Sequence, residues 1–272
     1  MIIYFNGKYI DERKASISIK DRGFLLGDGV FETLLYNEKK VILFNLHFLR
    51  LKNSLKKIFI KFDEEEGNLH RKIHEVIKRN KLKDCKVSIR ITVTRGNSER
   101  GIDIIPNQKP LLLITVNKLK TSLKMMPVKL YISEILRSET SITSRHKTIN
   151  YIDNILGKNE AKKNKYDDVL FLNSNQKICC ASTSNFFYLE RGKLFTPPLK
   201  DGVLNGIIRE ILISKKKVAV KSITLNNLKN CKEIFITNSL FGIRPVAKIE
   251  KFKFNIGQKT YEINDFLTKV GM

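Results

Sequence analysis

The sequence predicts a mixed α+β (α/β) protein built from two domains. Three observations carry this. Val87-Ser88-Ile89-Arg90-Ile91-Thr92-Val93-Thr94 alternates apolar and polar residues throughout, which marks a half-buried strand. Phe48, Leu51, Leu55 and Ile58 recur at helical spacing, which marks an amphipathic helix. Strand and helix signals occur on both sides of a polar, basic stretch without periodicity, so each half mixes the two element types. We therefore expect an N-terminal domain over 1–117, a linker over 118–127 and a C-terminal domain over 128–272.

The elements follow in order. Residues 2–6 read as a strand, turned at Asn6-Gly7 into a hairpin continued by Lys8-Tyr9-Ile10. Gly23, Gly27 and Gly29 crowd one short stretch, and a helix is expected over 47–60. Strands are expected over 87–94, 111–116 and 128–132. A polar segment over 138–150 leads into a helix over 151–164. Strands over 169–172 and 185–189 precede a break at Thr196-Pro197-Pro198. Gly206-Ile207-Ile208-Arg209 opens a further helix, and a strand over 234–237 ends in a polar turn at Asn238-Ser239.

Composition bounds the function. The chain has 272 residues, 42% hydrophobic and 29% charged, which supports a folded core rather than a disordered chain. No apolar run reaches the roughly 18 residues that a membrane span needs. No secretory leader is visible, and Cys85, Cys179, Cys180 and Cys231 form no C-x-x-C pair, so reduced thiols and a cytoplasmic location are expected. The formal net charge of +24 invites a nucleic-acid reading. The lysines are spread along the chain among Asn and Ile, and no nucleic-acid motif is present, so compositional drift explains the charge more simply. His70 and His74 share a helical spacing, but their charged neighbours describe a solvated face, and no metal is expected.

Three features carry chemistry. Lys147 lies in Ser144-Arg145-His146-Lys147-Thr148-Ile149-Asn150, and lysine beside cationic neighbours is a residue type used in Schiff-base chemistry. Gly206-Ile207-Ile208 opens a helix, where unpaired backbone N–H groups favour an anion. Asn238-Ser239 offers amide and hydroxyl donors after an apolar strand. Singly, each has an ordinary structural explanation: a solvated lysine, a loop-to-helix turn and a polar turn.

Taken together and in order, these pieces resemble the fold-type IV family of pyridoxal-phosphate enzymes. That family includes branched-chain aminotransferases, D-amino-acid aminotransferases and 4-amino-4-deoxychorismate lyases. The resemblance runs over nearly the whole chain. It rests on Asp21-Arg22-Gly23 through Gly27-Asp28-Gly29-Val30-Phe31-Glu32-Thr33, on His47-Phe48-Leu49-Arg50-Leu51, and on Arg95-Gly96 with Arg100-Gly101. It continues through His146-Lys147-Thr148-Ile149-Asn150-Tyr151, Thr183-Ser184-Asn185-Phe186-Phe187, Phe195-Thr196-Pro197-Pro198, Gly206-Ile207-Ile208-Arg209 and Thr237-Asn238-Ser239-Leu240. The resemblance implies a small N-terminal α/β domain, a larger cofactor-binding C-terminal domain with a β-barrel-like core, and a homodimer acting on a small molecule.

It also implies roles. Lys147 matches the lysine that joins pyridoxal 5'-phosphate as a Schiff base and later moves protons. Arg50 matches the arginine that clamps the cofactor phosphate, the amides of Ile207 and Ile208 match the helix-start phosphate cup, and Asn238 and Ser239 match a second phosphate-contacting turn. Phe31 matches an aromatic position near the cofactor. Arg95 and Arg100 match a loop that helps bind substrate carboxylates, and Arg244 offers a further cation. Relatives carry a glutamate five residues before the asparagine of the Thr-Ser-Asn-Phe segment, where it pairs with the pyridine nitrogen. Here that position is Cys180, whose thiol is a weak hydrogen-bonding group.

The substitution tilts the expected reaction toward elimination, which leans least on a charge partner for the ring. The expected activity is that of a 4-amino-4-deoxychorismate lyase, releasing pyruvate to give 4-aminobenzoate for folate biosynthesis. An aminotransferase acting on branched-chain or D-amino acids remains the alternative. The residue two after Arg100 is Ile102, where D-amino-acid aminotransferases tend to carry histidine, and this counts against that activity.

Overall fold

The computed structural model describes residues 1–120 and 123–272. Thr121 and Ser122, inside the expected linker, lie outside the described residues. The chain divides into two units by its contacts: Met1–Lys120 with Lys147–Asn150, and Thr121–His146 with Tyr151–Met272. Residues 147–150 thus cluster with the first unit, although their place in the chain lies well inside the expected C-terminal domain.

The first unit contains β1 (Ile2–Phe5), β2 (Lys8–Asp11), α1 (Arg22–Leu26), β3 (Gly29–Asn37), β4 (Lys40–Val41), α2 (Phe44–Lys57), α3 (Glu66–Arg79), β5 (Val87–Thr94) and β6 (Leu111–Lys118). Its strands form one antiparallel sheet in the order β2-β1-β6-β5-β3-β4. The period-2 alternation of β5 buries Val87, Ile89, Ile91 and Val93 on one face. Leu51 and Leu55 of α2 join the same core, as do Leu69, Ile73, Val76 and Ile77 of α3. The expected helix over 47–60 begins earlier, at Phe44. Helix α3 is additional to the elements expected from sequence. Helix α1 is capped by Asp21, whose carboxylate accepts from the Phe24 amide at 3.1 Å. It ends at Gly27 in the left-handed region (φ 68°), where a Cβ would also meet Asn150 Oδ1 at 2.4 Å.

The second unit contains β7 (Val128–Ile132), α4 (Ile142–Arg145), α5 (Ile152–Lys163), β8 (Asp168–Leu172), β9 (Ile178–Ala181), β10 (Asn185–Glu190), β11 (Lys193–Thr196), α6 (Ile207–Lys216), β12 (Ala219–Val220), β13 (Cys231–Asn238), β14 (Gly242–Ile249), β15 (Phe252–Lys253) and α7 (Gln258–Lys269). Six of these strands, β9-β8-β7-β14-β13-β10, close into a barrel through the pairing of Asn185 on β10 with Cys180 on β9. Leu130, Leu170, Ile178, Ala181, Phe186, Ile234, Ile236 and Val246 meet in one apolar cluster. Phe171 of β8 packs in a separate cluster with Ala161 of α5 and Cys179 and Cys180 of β9. Helix α7 is a further element without a counterpart in the sequence expectation. The architecture is mixed α+β with a barrel core, as the resemblance implies.

Candidate active site

The candidate residues fall in two groups, one in each unit. In the first unit they gather around β3. Residues 147–149 dock on this strand: the Phe31 amide donates to the Lys147 carbonyl at 2.9 Å, and the Ile149 amide donates to the Gly29 carbonyl at 3.1 Å. Val30 and Thr148 form the bridge between these two bonds. The docking holds Lys147 beside Phe31, with its Nζ 4.2 Å from the ring centroid. The guanidinium of Arg90, from β5, lies 3.7 Å from the same centroid. Two cations on one aromatic ring make a cationic surface, supported by the negative face of the ring. Arg90 is not among the residues singled out from sequence.

On β3, Glu32 shares its face with Val30 and Leu34, both core residues, so a carboxylate points into an apolar interior. It is satisfied there by α2. Arg50 donates from Nε to Glu32 Oε1 and from Nη2 to Oε2, each at 2.7 Å. His47, one turn earlier on the helix, lies with Nδ1 2.6 Å from Oε2. Burial pushes the Glu32 carboxyl up, but the Arg50 guanidinium and the His47 ring outweigh it and hold the pKa at about 2. His47 is shifted the other way: burial lowers it, with help from Arg50 and Lys147, against the pull of Glu32. Its ring is therefore neutral at pH 7, and Nδ1–H donates to the acceptor-only carboxylate.

Glu32 and His47 were missed from sequence as site residues. Two signals were present. An acid occupies an inward position of an apolar strand, and a histidine lies three residues before Arg50 on one helix face.

The structure corrects the expectation for Arg95. It is buried, and its guanidinium is committed to the fold. Nε and Nη2 donate to Asp28 at 2.6 and 3.0 Å, Nη1 donates to the Phe59 carbonyl at 3.0 Å, and Nη2 to that of Ile58 at 2.7 Å. A cation held this way ties β5 to the end of α2 and is not a substrate anchor. Arg22 meets the same Asp28 at 2.8 Å and donates to the carbonyls of Gly101, Ile102 and Asp103. It thereby anchors the loop that carries Arg100, whose side chain is exposed. Burial raises the Asp28 carboxyl, but Arg95 and Arg22 bring it net below the usual carboxylate range. Asp28→Asn should therefore lower unfolding stability by about 3 kcal/mol, since two nearly buried guanidiniums lose their counterion. Urea denaturation at neutral pH reads this directly, and an unchanged midpoint would refute it.

In the second unit, Cys180, Asn185 and Thr237 are directly opposed across β9, β10 and β13. Opposed residues share a face of the sheet. This row reaches α6: a Cβ on Gly206 would fall 1.9 Å from Asn185 Oδ1, so only glycine fits at the helix entrance. Gly206 is the N-cap and provides no side-chain acceptor for the first amides of α6. Ile207 and Ile208 bury their side chains, leaving their backbone N–H groups at the positive end of the helix. Strand β13 ends at Asn238, whose Oδ1 accepts from the amides of Leu240 and Phe241 at 3.0 and 3.1 Å and shapes the turn around Ser239. Among the described residues, the buried hydroxyls of Thr237 and Ser184 lack a hydrogen-bond partner.

Cys180 is buried, and burial pushes its thiol up. Asp168 adds to the rise and Arg137 opposes it. The thiol is therefore neutral at pH 7 and cannot act as a charge partner. Arg244, expected as a further cation for the substrate, has partners of its own. It is half-buried on β14 and donates to the carbonyls of Met126 and Pro127 at 3.0 and 3.4 Å, so it pins the incoming chain to the barrel. The four cysteines are unbridged. His70 and His74 lie on α3 with ring centroids 4.5 Å apart, beside Phe44 and Tyr36. Among the described residues, no group of three or more His, Cys, Asp or Glu side chains is placed to hold a metal ion. No described helix is long and apolar enough to cross a membrane.

Comparison with known proteins bears on this arrangement. The chain is 29% identical to the aminodeoxychorismate lyase of Bacillus subtilis, over 93% of this chain and 88% of that protein. It is 26% identical to the D-alanine aminotransferase of Listeria monocytogenes, over 95% and 91% of the two chains. The crystal structure of a branched-chain aminotransferase from Thermoproteus uzoniensis with norvaline superposes with a TM-score of 0.91 at 26% identity, covering 100% of this chain and 95% of that one. The profile of the amino-transferase class IV family matches residues 29–249. That match spans the β3 constellation, Lys147, the closed barrel and the α6 entrance, and the chain belongs to the class IV aminotransferase family of enzymes.

Proposed function

We propose that this protein is a pyridoxal-phosphate-dependent lyase that converts 4-amino-4-deoxychorismate into 4-aminobenzoate and pyruvate. The residues present fit the cofactor. An uncapped helix entrance that admits only glycine, next to two buried hydroxyls without partners among the described residues, suits a phosphate ester. A lysine amine held by backbone bonds to a strand suits the aldehyde. Lys147 would hold the cofactor covalently. Arg50, the amides of Ile207 and Ile208, and the turn at Asn238 and Ser239 would bind its phosphate.

When bound, the pyridoxal ring draws electrons from the amine-bearing carbon of the substrate and acidifies its C–H bond. Lys147 Nζ takes that proton. The C–O bond to the enolpyruvyl group breaks, the departing enol takes up a proton and leaves as pyruvate, and the six-membered ring is left aromatic. Arg90, stacked on Phe31 beside Lys147, is the cation best placed to meet a substrate carboxylate, with Arg100 as a second candidate. Arg95 and Arg244 are committed elsewhere.

The observation that carries the lyase reading is the buried, neutral thiol of Cys180. Elimination sends its negative charge out with the leaving oxygen, so it needs no carboxylate at this position. The test is direct. Protein loaded with pyridoxal phosphate is given 4-amino-4-deoxychorismate, and 4-aminobenzoate is followed by fluorescence. No 4-aminobenzoate, together with oxo-acid formed from leucine or D-alanine, would replace the lyase by an aminotransferase. Cys180→Glu should raise oxo-acid formation from these amino acids by about tenfold, the effect of about 1.4 kcal/mol at the transition state. No change would mean that this position does not act on the cofactor. We also read the protein as a cytoplasmic homodimer. The exposed Phe24, Leu25 and Leu26 of α1 support association, and sedimentation analysis would decide it.

A further inference from the structure

Nothing in the proposed chemistry uses Glu32 or His47, yet both are buried and form a polar network around a single, partly buried arginine. Such a network is costly to assemble in an apolar interior unless every member is satisfied. Its geometry is specific. Glu32 accepts side-on from Nε and Nη2 of Arg50, which fixes the plane of the guanidinium and the direction of its remaining N–H bonds, away from the carboxylate. His47 donates to Oε2 and keeps the carboxylate from rotating. Glu32 is also the residue after Phe31, whose amide holds the Lys147 carbonyl. Arg50 and Lys147 are thus each tied to consecutive residues of β3.

We propose that Glu32, braced by His47, is the positioning residue that aims Arg50 at the cofactor phosphate, and that β3 sets the spacing between this arginine and Lys147. The inference rests on the reading of Arg50 as a phosphate ligand and adds what orients it. A competing role is charge neutralisation, in which Glu32 only offsets the cation. The two differ in sign: a neutralising acid weakens phosphate binding, whereas a positioning acid strengthens it.

The experiment compares pyridoxal phosphate with pyridoxal, titrated into apoprotein of each variant. The dissociation constant of pyridoxal divided by that of pyridoxal phosphate isolates the phosphate, and both ligands meet the same fold, so general destabilisation cancels. Glu32→Gln should lower the ratio by about tenfold, equivalent to about 1.4 kcal/mol of phosphate recognition. Arg50→Ala should lower it further, and the double variant should fall no lower than Arg50→Ala alone. If Glu32→Gln does not fold, Glu32→Asp keeps the charge but shortens its reach, and it should lower the ratio too.

A ratio that stays at the wild-type value or rises in the Glu32 variants, while Arg50→Ala collapses it, would overturn the positioning role and leave the phosphate reading intact. A ratio untouched by Arg50→Ala would overturn both.

Discussion

Lys147→Ala is expected to abolish turnover, with a loss of at least about 10³-fold, because one amine both holds the cofactor and moves the proton. The structure makes this substitution informative. Residues 147–149 are fixed to β3 through backbone bonds at Phe31 and Ile149, and alanine leaves those bonds in place. The lost group is then the amine alone. Borohydride should fix pyridoxal phosphate to the wild-type chain at the peptide that contains Lys147, and should fix none there in the variant. Full activity in Lys147→Ala, or an adduct on a different lysine of the wild type, would move the chemistry elsewhere and remove the basis for the proposed reaction. The chain is rich in lysine, so the site of the adduct decides more than its presence.

Arg50→Ala is expected to weaken pyridoxal phosphate binding by about 2–5 kcal/mol, roughly 30- to 5,000-fold in dissociation constant. Part of this loss belongs to the partner left behind. Without Arg50, the buried Glu32 carboxylate keeps, among the described residues, the His47 contact, and its pKa should climb from about 2 toward or above the ordinary carboxylate range. Stability that Glu32 contributes in the wild type is present above the unfolded-state pKa and is lost as pH falls through the folded value. In Arg50→Ala the folded pKa is no longer held below the unfolded one, so this contribution is already missing at neutral pH and less stability is left to lose on acidification. Equilibrium unfolding between pH 3 and 7 would show a variant that is less stable at neutral pH and has a shallower acid limb. Unchanged cofactor affinity would contradict the phosphate role. An acid limb as steep as that of the wild type would contradict the assignment of Arg50 as the main counterion of Glu32. Arg50→Lys should recover little of either, because an ammonium cannot make the side-on pair that a planar fork makes.

Much of the fold was legible from sequence because its signals are local. Alternation in residues 87–94 marks β5, and a glycine at the start of Ile207-Ile208 marks a helix entrance that admits no side chain. Helix α3 also carries a helical pattern in Leu69, Ile73, Val76 and Ile77. Its charged neighbours, together with His70 and His74, read more readily as a solvated face, and one buried stripe suffices to dock it. Lys147 was found by position among the motifs, but its local sequence places it in the second half of the chain. Only its pairing with β3 assigns it to the first unit.

The arginines show where sequence stops. Arg50, Arg90, Arg95 and Arg244 are one residue type, and nothing in their neighbours along the chain separates them. Arg95 is claimed by Asp28, 67 residues away, and by two carbonyls. Arg244 is claimed by carbonyls 117 and 118 residues away. Arg50 is held by Glu32 across 18 residues, and Arg90 lies on an aromatic ring of a neighbouring strand.

The sequence by itself determined the family pattern, the alternation and helical stripes that build both units, and the lysine on which the proposed chemistry depends. Tertiary structure alone decided which partners each cation meets: Asp28 and two carbonyls for Arg95, two carbonyls for Arg244, Glu32 for Arg50 and the Phe31 ring for Arg90. Periodicity and capping are written in neighbouring residues, whereas the role of a guanidinium is set by whichever carboxylate or carbonyl the folded chain brings to it.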